Sequence, residues 1–288
     1  MSSDTLPQSP ALAPGAAAER GRSSRLAPVY ADMLDGSGRW HLWWALAWRD
    51  IKGRYRRTII GPFWTALNTA ILVTTLGFVY ALLWHEDPAT YLPFFCAGYI
   101  SWYLFSTIVS ESGTALIAEE ATVKSIRIPY TVFIFRVITR NVVVFAHNLV
   151  VFLLVAVIFQ LHWDWKILLL PIGLLLSLPN YFWIALLLAT VCARFRDVIQ
   201  FVGNLIQILF FVTPIFWEPS RLARNPVAEF VFVTANPAYH LVEIIRAPLL
   251  GQAPSLFNYA YVVAMAVVGF GVLLVLLRRF YGRITYWI

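Results

Sequence analysis

NVVVFAHNLVVFLLVAVIFQL, residues 141–161, runs for 21 residues without an Asp, Glu, Lys or Arg. At about 1.5 Å per residue such a helix covers about 30 Å, the depth of bilayer hydrocarbon. The pattern repeats outward in both directions, at about 62–84, 91–115, 167–192, 198–217 and 257–277. Composition agrees: 60% of the 288 residues are hydrophobic, 13% are charged, and the mean hydropathy is +0.70. A soluble domain of that size keeps much of its surface wetted and has no interior large enough for so much apolar side chain. The sequence therefore reads as an all-α integral membrane protein with six transmembrane helices.

The net charge of +7 suits a nucleic-acid partner, but the placement of the charges does not, and no nucleic acid is expected. Of the 22 Lys and Arg, 18 fall before the first span, between spans two and three or at the adjoining helix start, between spans four and five, or after span six. The opposite side holds Lys166, Arg221, Arg224 and Arg246. Positive residues remain cytosolic, so both termini are expected in the cytosol, in agreement with an even number of spans. Cys96 and Cys192 both lie in apolar runs and read as small buried hydrophobes.

Three segments flank or interrupt the spans. Residues 1–38 are rich in Ala, Pro, Ser and Arg without a continuous apolar run, and are expected to form a disordered cytosolic tail. Residues 39–58 set Trp40, Trp43, Trp44 and Trp48 against basic side chains, a pattern for an amphipathic helix in the cytosolic headgroup layer. Residues 59–288 then form the six-span domain. Within it, 218–256 carries short apolar pieces broken by Pro219, Pro226, Pro237, Pro248 and Pro254. Two short re-entrant helices forming an outer gate between spans five and six fit that pattern, because irregular backbone at membrane depth must be buried in protein or line a cavity. A surface loop resting on the bundle is the alternative.

No GxxxxGK[ST], HExxH, CxxC or GxSxG string occurs, and the histidines are scattered at 41, 85, 147, 162 and 240. No catalytic or metal site is expected, and energy for uphill transport must come from another subunit. Polar side chains inside spans are costly and so informative. Asn68 in the first span and Asn204 and Gln207 in the fifth suit a hydrated path for an uncharged polar solute, with interhelical hydrogen bonding as the plainer reading. Tyr91, Phe95, Tyr99 and Trp102 recur at i, i+4, i+8 and i+11 on one helical stripe. Sugar rings pack well on aromatic faces, and so do neighbouring helices. The connection 116–130, LIAEEATVKSIRIPY, places Glu119, Glu120, Lys124 and Arg127 where a soluble partner could dock.

Several strings, taken in order, resemble one family. RDIKGRYRRTIIGPFWTALNT (Arg49–Thr69), VKSIRIP (Val123–Pro129), ARFRD (Ala193–Asp197), TPIFWEP (Thr213–Pro219) with NPAYHLVEIIRAPLLG (Asn236–Gly251), and the closing RRFYGRITYW are similar to permease subunits of ATP-binding-cassette polysaccharide and polyol-phosphate exporters. The resemblance covers roughly residues 40–288. It implies a homodimer bound to two copies of a separate ATPase, which carries the ATP and Mg. It also implies export of lipid-linked O-antigen, capsule or teichoic-acid-type chains across the bacterial inner membrane. On this sequence, 39–57 and 116–130 would receive the ATPase stroke, the first and fifth spans would line the channel, and 218–250 would gate it. Arg194, Arg196 and Asp197 would form a charge cluster at the turn between spans four and five. Export of a small amphiphile or drug is the neighbouring possibility. A membrane transferase built on Glu111, Glu119 and Glu120 is the possibility from another class.

Overall fold

Hydrocarbon offers the backbone no hydrogen-bond partner, so a chain of this hydropathy must satisfy its own amides within helices. The computed structural model describes residues 14–54, 56, 61, 63–222 and 224–288, with side chains from Leu26 onward; helices and connecting turns make up these residues, with no strand among them. Helices α3 (Phe63–Trp84), α4 (Pro88–Ser112), α6 (Tyr130–Ile158), α7 (Leu169–Arg194) and α11 (Leu256–Phe280) are long and apolar enough to cross a membrane. The sixth expected span corresponds to α8 (Val198–Val212), 15 residues continued by a non-helical stretch from Thr213. At 1.5 Å per residue α8 covers about 22 Å, less than the hydrocarbon depth.

Helix α4 is the centre of the bundle: 72% of its apolar window is buried, against 28% for α3 and 22% for α11. Asp87 caps it, accepting from the Ala89 amide at 3.1 Å, and Pro88 occupies the first turn, where its missing N–H costs nothing. Helix α6 begins eleven residues earlier than the apolar run at 141. A hydropathy pattern stops at Arg136 and Arg140, but the helix continues through them because their charges are paired.

The outer connection is helical and largely inside the fold. After a short α9 (Pro226–Glu229) and a π-turn over Phe230–Thr234 comes α10 (Pro237–Leu249), in which eleven of thirteen residues are buried. It packs on α4, α7 and α11. A Cβ on Gly173 of α7 would lie 2.2 Å from the Ile244 carbonyl oxygen of α10, so only glycine permits that crossing.

The expectation of a disordered N-terminal tail is corrected over residues 14–38, which form α1 (Pro14–Gly38); residues 1–13 lie outside the described residues. Helix α1 packs on α6 and α11. Val29 and Asp32 are buried, and the Asp32 Oδ1 accepts from the Thr131 amide at 3.2 Å in the first turn of α6, while the Thr131 hydroxyl donates to the Asp32 carbonyl at 2.8 Å. Gly36 permits the approach, since a Cβ there would meet Thr131 Oγ1 at 2.0 Å. A mean polarity spread over the segment hid this docking face, which needs only a few positions per turn. The amphipathic segment expected at 39–58 contains α2 (Trp40–Arg54), whose buried residues are Ala47 and Ile51 while Trp40, Trp44 and Trp48 stand outward.

Burial raises the Asp32 carboxyl to about 6, because the Thr131 hydrogen bonds offset desolvation only in part. The docked helix thus binds that proton more tightly than an undocked one. Docking of α1 is strongest below the ordinary carboxyl range, weakens by about 3 kcal/mol as pH rises through about 6, and is level above it. Spin labels at exposed Leu34 and Ile126 should report a distance distribution that broadens over that window. Asp32→Asn, which keeps the acceptor without the charge, should abolish the pH dependence.

Candidate functional site at the basic end of the bundle

Arg136 and Arg140 stand one turn apart on α6 and therefore share a face. Asp50 on α2 takes both. Arg136 donates to it through Nε at 2.6 Å and Nη2 at 2.7 Å, and Arg140 through Nη1 at 2.6 Å. Arg136 reaches on through Nη1 to Glu119 in the 3-10 turn Ile117–Glu119, at 2.5 Å. Arg140 reaches through Nη2 to Glu111 at 2.7 Å; Asn141 donates to the same Glu111 oxygen at 2.6 Å, and Arg54 to the other at 2.8 Å.

Three guanidiniums thus face three carboxylates where α2, α4, α6 and the 116–130 connection meet, around a cleft of about 260 Å³. Apart from Arg54 the charged side chains are between 13% and 24% exposed. Burial opposes ionisation of Asp50, but the paired arginines outweigh it and hold the carboxyl below its ordinary range. The two-pronged Arg136–Asp50 contact fixes orientation as well as distance, so α2 and the 116–130 connection are clamped to one α6 side chain.

The residues singled out as a coupling group separate into two. Glu119 belongs to the clamp. Glu120 opens the short helix α5 (Glu120–Ser125) and pairs within it to Lys124 at 2.7 Å. Arg127 is exposed beyond it. Glu111 and Glu119 line the same cleft, each paired to an arginine, while Glu120 pairs with Lys124 on α5. Of the turn cluster, Arg194 lies 4.9 Å over the Trp287 ring of α12 (Ile284–Trp287), and Arg196 bears electrostatically on Glu120.

The aromatic stripe exists, but it faces the core. Tyr91 and Phe95 stack at 6.2 Å, the Tyr91 hydroxyl donates to the Phe216 carbonyl at 2.6 Å, and Trp102 lies 5.8 Å from Phe210. Tyr91, Phe95 and Trp102 are 4%, 0% and 4% exposed, and Tyr99 is half-buried, so the expectation of a sugar-contacting surface there is corrected. A period identifies a stripe and not its neighbour. Asn68, Asn204 and Gln207 are exposed, and α8 buries Val202 alone. Asp50, Arg136, Arg140 and Glu111 were not anticipated as a unit; the available signal was the i, i+4 arginine pair just ahead of an apolar run.

At the other end, Arg246 of α10 is 2% exposed. It donates to Glu243 and, at 2.6 Å, to the Pro214 carbonyl, and lies 4.6 Å over the Phe94 ring. It ties the non-helical continuation of α8 to α10 and α4.

An all-helical bundle with five helices of hydrocarbon-crossing length defines a polytopic membrane protein. Residues 41–250 match the ABC-2 type transporter family, and the chain belongs to it. It is 25% identical over 203 residues to an O-antigen export system permease protein RfbA of Myxococcus xanthus, covering 70% of this chain and 78% of that protein. Two Klebsiella pneumoniae proteins of the same name are 23% and 24% identical over 226 and 247 residues, covering 77% and 81% of this chain and 84% and 90% of theirs. The family implies a membrane permease that works with an ATP-binding-cassette ATPase.

Truncating one partner of a fully buried ion pair strands the other at a cost of about 3–5 kcal/mol, and the partly buried Arg136 pairs fall at or below that range. Arg136→Ala should therefore lower thermal stability in detergent and release α2, read as faster proteolysis near Gly53. Arg136→Lys, which lacks the fork, should recover only part of the loss.

Proposed function

We propose that this chain is the channel-forming subunit of an ATP-driven exporter that carries a lipid-linked polysaccharide, of O-antigen or capsule type, from the cytosol across the bacterial inner membrane. Two copies pair, each with a separate ATPase subunit that holds ATP and Mg. Both termini and the basic end face the cytosol, α8 completes six spans, and 218–256 with its buried α10 gates the outer side.

The observation that carries this reading is the uncovered polar face. Asn68 on α3 and Asn204 and Gln207 on α8 are exposed, whereas other in-span polar groups are bonded inside the chain: Thr69 donates to Asn148 at 3.1 Å, and Asn180 to the Val262 carbonyl at 3.0 Å. Carboxamides directed at hydrocarbon are costly. A second copy of the chain, enclosing a hydrated passage along α3 and α8, satisfies them, and an uncharged glycan needs such a passage. The similarity to proteins named as O-antigen export permeases supports the choice of cargo. Glu119 in the clamp would pass the ATPase stroke to α2 and α6, and Glu120 with Lys124 would present α5 to the ATPase.

The same α8 face also carries exposed Phe201, Ile208 and Phe211, which would suit a small amphiphile. Deleting the gene separates the two cargoes. Loss of surface glycan is expected, whereas intact glycan with heightened drug sensitivity would select the amphiphile. Asn204→Leu with Gln207→Leu should cut glycan export by roughly tenfold or more and shift stability by only about 0.5 kcal/mol, since both sites are exposed. Unaltered export in that variant would remove α8 from the passage.

A further inference from the structure

Helix α1 lies outside the family match, which begins at residue 41, and nothing in the function so far uses it. Yet it stands beside the connection read as the ATPase contact. Between them runs a groove of about 700 Å³. Pro28, Ala31 and Asp35 of α1 form one wall, residues 123–130 the other, and Tyr281 and Thr285 close the end.

We propose that α1 is the second wall of the ATPase docking groove, so that the partner seats between α1 and the 123–130 connection instead of on the connection alone. This rests on the reading of 116–130 as the ATPase contact, and adds to it a surface contributed by the N-terminal helix.

Three observations carry it. First, Ile126 is 58% exposed between Ser125 and Arg127, and an apolar side chain held out at a groove rim is a docking feature. Second, Arg127 is exposed and has no carboxylate partner among the described residues, whereas neighbouring Lys124 and Asp35 are each paired, to Glu120 and Arg39. The groove therefore suits a protein segment that brings an apolar side chain to Ile126 and a carboxylate to Arg127. Third, the two walls are one body. Asp32 of α1 and Thr131, two residues beyond Pro129, exchange the buried hydrogen bonds described above, and Tyr130 is bonded to Thr285 at 2.6 Å. A partner that engages the connection must meet α1 at a fixed spacing.

The test measures the affinity of the full-length permease in nanodiscs for the separately purified ATPase. Ala31→Trp fills the groove from an exposed position on α1 and leaves the α1–α6 contact alone. Gly36→Leu drives α1 off α6. Ile126→Asp spoils the other wall. All three should weaken association by roughly tenfold or more, the loss of a central interface contact. If Ile126→Asp weakens binding while Ala31→Trp binds like the native chain, α1 has no part in docking and the ATPase reading of the connection stands. If Ala31→Trp and Ile126→Asp both bind like the native chain, the groove and that reading fall together. Gly36→Leu is interpreted only alongside Ala31→Trp, which keeps the outcome decisive if the displaced helix unfolds the chain.

Discussion

Two arginines one turn apart share a single carboxylate, and the basic end of the molecule is organised around that sharing. Asp50 cannot satisfy Arg136 and Arg140 unless α2 lies across the start of α6. Arg136 and Arg140 in turn reach Glu119 and Glu111, on either side of the α4-to-α5 turn. Moving any one of these elements separately would strand a charge in a poorly solvated place. The cost of such a break is several kcal/mol, well above the fraction of a kcal/mol that an exposed pair such as Lys124–Glu120 contributes. A push on the 116–130 connection is therefore expected to move α2 and α6 with it. Three guanidiniums against three carboxylates leave the clamp electrically neutral.

The opposite end solves the same problem with other groups. Helix α10 is too short to cross and is enclosed by protein, so its termini need partners. Asn236 caps its first turn, accepting from the Ala238 amide at 3.0 Å while donating to Thr213 at 3.1 Å, and Pro237 removes one unsatisfied donor. His240 bonds to Asn258 and to the Thr234 carbonyl, both at 2.9 Å. Arg246 is tolerated at 2% exposure because a carboxylate, a carbonyl and an aromatic face meet its guanidinium together. The prolines of 218–256, which exclude a simple span, here divide the segment into pieces that can each be capped.

Much of this fold is legible in sequence because hydrocarbon imposes a length on apolar runs; the runs at 141–161 and 167–192 largely coincide with α6, which ends at Ile158, and α7, which begins at Leu169. What escaped reading depended on orientation. Tyr91, Phe95, Tyr99 and Trp102 have the right period, but period does not say whether a stripe faces a channel or α3 and α8. Glu119 and Glu120 are adjacent in sequence and diverge in space, one into the clamp and one onto α5. Helix α1 has no apolar run, and its docking depends on Gly36 and Asp32 meeting Thr131, a match between distant positions that local pattern cannot show.

These constraints leave α8 in an unusual mechanical position. It buries one residue of fifteen, so side-chain packing within its own chain holds it only weakly along its length. Both of its ends are nonetheless fastened. On one side it follows directly from the turn where Arg194 packs on Trp287, and a Cβ on Gly113 would sit 3.5 Å from Ile199. On the other, the Pro214 carbonyl is held by Arg246, and Phe216 stacks 5.4 Å from Tyr80 and 5.9 Å from Trp84. A rod held near both ends and only lightly packed between them tilts or rotates when those points shift relative to each other. Its polar residues, Asn204 and Gln207, lie in that lightly packed middle. The Arg194–Trp287 contact and the Arg246 tie are thus the two points through which displacement of the rest of the bundle reaches α8.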